Sequence, residues 1–306
     1  MSYNPPPLST AAAVIDIEID DYSCPTEILY YPSNSPSKQQ GNSPPLPPSS
    51  SPITLLFIPG NPGLVTFYHP LLSYLSTKTN LTIYGISHST HSTRPLKNKI
   101  PPTHSNNLTT EILHKQNFIN SHLSTPLIII SHSIGSYISR RLTSPYAIIK
   151  LIEITPFTIF KPDNLLSSIP PKILTLTPKL IIAISEILNP IVTHLIPPSF
   201  LKKILNLSGC TSTSEIIKLL KTPSYYKTFL QLGHSEIKTL PTTLSVSSLN
   251  SLLSKNDLRQ LYVYNDMWCS MSQLEHIRSL RKYGYLEGKI GTEIWEKGRH
   301  DFVVRE

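Results

Sequence analysis

Five short apolar runs recur along this chain with helix-like stretches between them, and that rhythm constrains the fold more than any other feature. They are ITLLFI (53–58), LTIYGI (81–86), LIIIS (127–131), IIKLIEI (148–154) and QLYVYN (260–265). Runs of this length with little polar alternation suit strands buried on both faces. Between and after them, Phe67 to Leu75, 111–123, Ile134 to Leu142 and a stretch near 271–282 read as helices, and TEIWEKGRH (292–300) closes the pattern. In the second of these, Ile112, Gln116, Ile119 and Leu123 fall on one helical face, flanked by Leu113 and Phe118. Strands alternating with helices predict an α/β fold: a mainly parallel sheet with helices on both faces. Upstream, AAVIDIEID (12–20) alternates as a half-buried strand does, and TEILYYP (26–32) follows it. The turn chemistry of Asp20-Asp21-Tyr22-Ser23 between them predicts a β-hairpin at the sheet edge.

Three segments break the rhythm. Residues 33–52 are Pro, Ser and Gln with almost nothing to bury, so a disordered loop is expected. Residues 88–107 read as a second long polar loop. Residues 162–250 are mostly helical with Pro punctuation and arrive between two core strands, where an insertion overlies the strand ends that bind ligands in open α/β sheets. The expected organisation is therefore residues 1–52 as N-terminal strands plus loop, 53–161 and 251–306 as the core, and 162–250 as a helical cap. The greasiest part, 172–206, is interrupted by Pro178, Glu186, Pro190, His194, Pro197 and Pro198. No uninterrupted span of ~20 apolar residues results, so a transmembrane helix is not expected. A segment that lies on a lipid surface and a lid packed on the core both fit it.

Composition excludes several classes. The net charge is +8, from 27 Lys and Arg against 19 Asp and Glu, but no basic block or interleaved aromatic stripe accompanies it. Nucleic acid is therefore not an expected partner. Three widely separated cysteines, Cys24, Cys210 and Cys269, without a C-x-x-C pair suggest neither a disulfide framework nor a zinc site. They fit a reducing compartment. The start, MSYNPPPLSTAAAV, lacks the basic-then-apolar pattern of a secretory signal.

Chemistry points to the third run. In LIIISHSIGSY (127–137), Ser133 falls between a strand and a helix, as in the nucleophile elbow G-x-S-x-G, with Ser131 where the first glycine normally stands. An acyl-transfer serine needs a base, an orienting acid and an oxyanion hole, and on α/β-hydrolase folds the order is Ser, acid, His. After Ser133 the histidines are His194, His234, His276 and His300; the last follows the final strand-like segment in a loop with Gly298. Asp266 ends QLYVYN and is the preferred acid over Asp163, Asp257 and Asp301. For the oxyanion hole, Ile134 offers the N–H after the serine. PGNPG (59–63) offers Asn61, with Gly63 in reserve, since Pro62 has no N–H. Each element also has a plainer explanation. Serines are abundant here, Asp266 fits a strand-end turn, His300 fits a surface histidine, PGNPG fits an ordinary turn, and His132 fits a packing role.

These residues resemble the lipid droplet-associated hydrolase family of serine α/β hydrolases. The resemblance rests on FIPGNPG (57–63) with Phe67-Tyr68, Gly85-Ile86-Ser87-His88, the H-K-x-x-F pattern of His114 to Phe118, and the elbow SHSIGSY. It continues with Asp266-Met267-Trp268 and His300-Asp301-Phe302-Val303, so it runs from about residue 53 to the end. It implies an α/β-hydrolase fold with a helical cap and an ester hydrolase with Ser133, Asp266 and His300 as the triad. It also implies lipid esters of the sterol ester or acylglycerol class as substrate, and a peripheral place on the droplet monolayer, reached from the cytoplasm. The contact would run through 172–206, with Lys202 and Lys203 toward head groups. No metal or organic cofactor is called for. A non-catalytic lipid-surface protein that keeps the fold, and a peptidase or thioesterase on it, are the rival readings.

Overall fold

The computed structural model describes residues 12–19, 22–33, 52–92, 106–160, 180, 183, 187, 190–207, 213–221, 225–264, 266, 269, 271–288 and 290–299. The five runs and their flanks form one eight-stranded sheet: β1 (Ala12–Ile19), β2 (Tyr22–Tyr31), β3 (Thr54–Ile58), β4 (Thr82–Ile86), β5 (Leu127–His132), β6 (Ile148–Ile154), β7 (Asp257–Val263) and β8 (Ile290–Trp295). Its spatial order is β1-β2-β4-β3-β5-β6-β7-β8. The β1–β2 hairpin is antiparallel and lies at one edge, and β2 also meets β4 antiparallel. Every other pairing is parallel. Two strands begin earlier than their apolar runs. β2 starts at Tyr22 because Ile19 and Tyr22 pair directly across the hairpin, and β7 starts at Asp257 because Lys150 of β6 pairs with it.

β3 shows why these runs carry so little polar alternation. Leu56 and Ile58 join the hydrophobic cluster on one sheet face with Phe118, Ile134 and Ile138. Leu55 and Phe57 join the cluster on the other with Leu72 and Ile83. All four are almost fully buried, and each such side chain stabilises the fold by about 1.5–3 kcal/mol. The covering helices are α1 (His69–Lys78) on the second face, and α2 (Leu108–His122) and α3 (Ile134–Ser139) on the first. Between β6 and β7 come α4 (Pro198–Leu207), α5 (Thr213–Leu220), α6 (Tyr225–Thr239) and α7 (Val246–Leu253); α8 (Met271–Lys282) links β7 to β8. No helix among the described residues is long and apolar enough to cross a membrane.

The inward face of α2 departs from the apolar pattern. It buries Glu111, His114 and Lys115 beside Leu108, Phe118 and Ile119, and leaves Ile112 and Gln116 half-exposed. Buried charge is tolerable only when it is paired and fully hydrogen-bonded, and here it is. Lys115 Nζ donates to Ser87 O (2.9 Å), Glu111 Oε2 (2.8 Å) and His114 Nδ1 (2.8 Å), which uses all three of its protons. His114 Nε2 then donates to Thr26 Oγ1 (2.6 Å), which donates to Cys24 O (3.1 Å). The polar stretch after β4 is likewise buried from Ser87 to Ser92, anchored on Glu111, Asn106 and Glu27.

Candidate active site

β5 delivers Ser133 to the carboxyl edge of the sheet, and α3 begins at the next residue. Ser133 sits at φ 52° and ψ −122°, in the region that side chains avoid. Such a conformation persists where neighbours over-determine it. Ser133 N donates to Ile154 O (3.0 Å), and Ser133 O accepts from Ser136 N (3.0 Å) and Phe157 N (3.1 Å). Gly135 makes the turn possible, because a Cβ there would lie 2.6 Å from both Ile58 O and Pro59 O. Ser131 occupies the place of the other elbow glycine, and small partners accommodate it. Its hydroxyl lies 3.3 Å from Ser136 Oγ and 3.2 Å from Ser139 Oγ, all three buried.

The turn after β3 comes up against this serine. A Cβ on Gly60 would stand 2.8 Å from Ser133 Cβ and 2.9 Å from His132 Nδ1. Gly63 N donates to Gly60 O (2.6 Å), and Gly60 N donates to Tyr68 Oη (3.1 Å). With Pro62 lacking an N–H, Asn61 holds the turn's remaining main-chain donor among the described residues. Gly63, the reserve donor, is committed to closing the turn. Tyr68, noted above only in the Phe67-Tyr68 motif, also takes part. Burial pushes its phenol up, the Gly60 N–H offsetting only part of this, so it stays protonated and donates to His132 Nδ1 (2.7 Å). That bond fixes the His132 ring beside the elbow.

Asp266 lies just past the carboxyl end of β7, nearly buried, and its Oδ1 accepts from Cys269 N (2.9 Å). Asp257 is at the opposite end of β7, paired with Lys150 Nζ (3.2 Å) and Arg259 Nε (3.3 Å). That places it away from Ser133. His234 is on α6, His276 on α8, and His194 is exposed. His300, like Met267, Trp268, Asp163 and Asp301, lies outside the described residues. Thus Ser133, Gly60, Asn61 and Ile134 come together, and Asp266 stands at the same edge of the sheet.

Sequence reasoning also missed Glu236 of α6. Its carboxyl is buried and accepts from Asn61 Nδ2 (3.0 Å). Burial raises this group to about 8, the Asn61 N–H lowering it only partly. A cavity of about 670 Å³ opens elsewhere, between α3 and α7, lined by Arg141 and several hydroxyls, and does not include Ser133.

An eight-stranded sheet in this order, with a strained serine after β5 and an acid after β7, defines the α/β-hydrolase fold class. Solved structures agree on the fold. The superpositions include a bacterial membrane phospholipase A (TM-score 0.56, 14% identity, 95% of this chain and 80% of that one) and the esterase EaEST of Exiguobacterium antarcticum (0.56, 13%, 93% and 91%). Residues 51–303 match the lipid-droplet associated hydrolase family, and the chain belongs to it. The lipid droplet-associated hydrolase of Homo sapiens is 33% identical over 104 residues, covering 29% of this chain and 32% of that protein. That of Dictyostelium discoideum is 29% identical over 134 residues, covering 40% and 38%. The chain thus spans about a third of the curated relatives' length.

Proposed function

We propose that this chain is a serine ester hydrolase of lipid esters, of the sterol ester or acylglycerol class, working at the lipid droplet surface. Ser133 is the nucleophile, His300 the base and Asp266 the acid that orients it. The observation that carries this reading is Ser133 itself: a non-glycine residue held at φ 52° between β5 and α3, pressed against Gly60 of the turn that offers Asn61 N–H. In the reaction, His300 takes the Ser133 proton as Oγ attacks the ester carbonyl. The N–H groups of Asn61 and Ile134 hold the tetrahedral oxyanion. His300 protonates the leaving alcohol and then activates the water that releases the acid.

Access to a lipid surface would come from the 162–250 insertion acting as a cap. Phe200, Leu195, Ile187 and Leu180 are exposed there, with Lys202 and Lys203 exposed on the same stretch. Apolar side chains flanked by lysines suit a monolayer of phospholipid over neutral lipid. The enzyme would then work peripherally from the cytoplasm. Fluorophosphonate labelling of the purified chain tests the chemistry. The expected result is one label on Ser133, lost in Ser133→Ala along with turnover of short esters. A folded protein that takes no label there leaves lipid coating as the role of the fold.

A further inference from the structure

We propose that Glu236 is a positioning residue for the oxyanion hole: its carboxyl clamps the Asn61 side chain and so fixes the Gly60–Gly63 turn against Ser133. This rests on the acyl-transfer reading above and extends it to a residue of the helical insertion. Asn61 Nδ2 donates to Glu236 Oε1 (3.0 Å) and lies 3.5 Å from Phe229 O, so α6 presents two acceptors to one amide. Gly233, on the turn of α6 before Glu236, faces the same amide: a Cβ there would stand in ordinary contact, 3.7 Å from Asn61 Nδ2. The helix behind the clamp is itself anchored. Leu108 N of α2 donates to Ser235 Oγ (3.0 Å), and Leu232 and Leu240 are buried in the main core cluster. α6 is therefore a fixed wall of the site, docked one residue and one turn either side of the clamp.

A carboxylate this close to an oxyanion hole would oppose the charge that develops there. Burial keeps Glu236 protonated at neutral pH, so it accepts the Asn61 N–H without adding a negative charge. A neutral glutamine keeps the same acceptor, and a leucine of similar size removes it and leaves the amide only the longer contact to Phe229 O.

The test combines kinetics on a short p-nitrophenyl ester with hydrogen exchange of the Gly63 amide, which closes the turn. E236L is expected to lower kcat about 10-fold or more with KM within about 3-fold. It is also expected to speed Gly63 exchange by about 10-fold or more. E236Q should restore both. N61A reads the same clamp from the other side if E236L does not fold, and the double variant should be no worse than the poorer single. Unchanged Gly63 exchange in E236L overturns the clamp whether or not the chain turns over. Faster exchange with unchanged kcat overturns its part in the reaction. An inactive wild type with a clamp that still responds sinks the acyl-transfer reading alone, because exchange is read equally well in Ser133→Ala.

Discussion

Two buried carboxyl groups reach the same turn through different residues, and burial treats them alike while their partners do not. Glu111 reaches the turn through His88, whose N–H donates to Gly63 O (2.7 Å) and whose ring would meet a Cβ on Gly63 at 2.5 Å. Glu236 reaches it through Asn61. Around Glu111 stand Lys115 Nζ (2.8 Å), His88 Nδ1 (3.3 Å), the Ser89 hydroxyl and Ser89 N (3.1 Å). Burial alone would raise its pKa, but the positive charge beside it, chiefly Lys115, more than offsets that and holds it well below the carboxylate range. Burial also keeps His88 well below its ordinary value, so the pair is Lys115 with Glu111. Glu236 has one amide donor and, among the described residues, no cation beside it, and so remains an acid. One route to the turn runs through a saturated ion pair and the other through a neutral group, which keeps added negative charge away from the proposed oxyanion.

The sharpest way to break this contrast is to remove the cation. Lys115→Met leaves Glu111 buried without its counter-charge and orphans Ser87 O and His114 Nδ1. Breaking a buried pair from one side costs about 3–5 kcal/mol, a large part of a domain's stability. Urea denaturation should show that loss, or the variant should fail to fold. A loss under about 1 kcal/mol would mean that Glu111 takes up a proton instead and that the two carboxyls are alike.

Next in size is the pH dependence of stability carried by Glu236. Its folded value, about 8, lies above the ordinary 4.5. A raised group contributes stability that is fully present below the unfolded value and is lost as pH rises through the folded one. Glu236→Gln should therefore match the wild type in Tm near pH 4 and exceed it progressively up to about pH 8.5. Each kcal/mol is worth roughly 2–4 °C in a chain of this size. Equal melting curves at all pH values would place an ionised Glu236 beside Asn61. Glu111 should behave in the opposite sense, its contribution present above the ordinary value and lost in acid.

The two carboxyls also mark how far sequence reading carries. The strand runs were legible because continuous apolar stretches admit few other fates in a chain with helices between them, and the Ser133 turn was legible because a small residue pattern follows such a run. The buried face of α2 was not. Glu111 and Lys115 stand four apart, the spacing of an ordinary surface ion pair. Nothing local says that Ser87 O and Ser89 wait to satisfy them. Glu236 was still less visible, since its partner Asn61 lies 175 residues away. Tyr68 was visible only as half of the Phe67-Tyr68 motif, without its bond to His132.

The smallest expected effect belongs to Ser131→Gly, which restores the usual elbow pattern. The serine's hydroxyl bonds Ser136 and Ser139 weakly, at 3.3 and 3.2 Å. Removing it also places a glycine inside a central strand, at a cost of roughly 0.5–1 kcal/mol. The turn itself is held by Ile154 O, Ser136 N and Phe157 N, none of which the substitution touches. Stability should therefore fall by about 1 kcal/mol, while fluorophosphonate labelling of Ser133 stays within about 3-fold, under 1 kcal/mol of barrier. A labelling rate that rises tenfold would show that Ser131 strains the elbow and that α3 does not sit freely on β5.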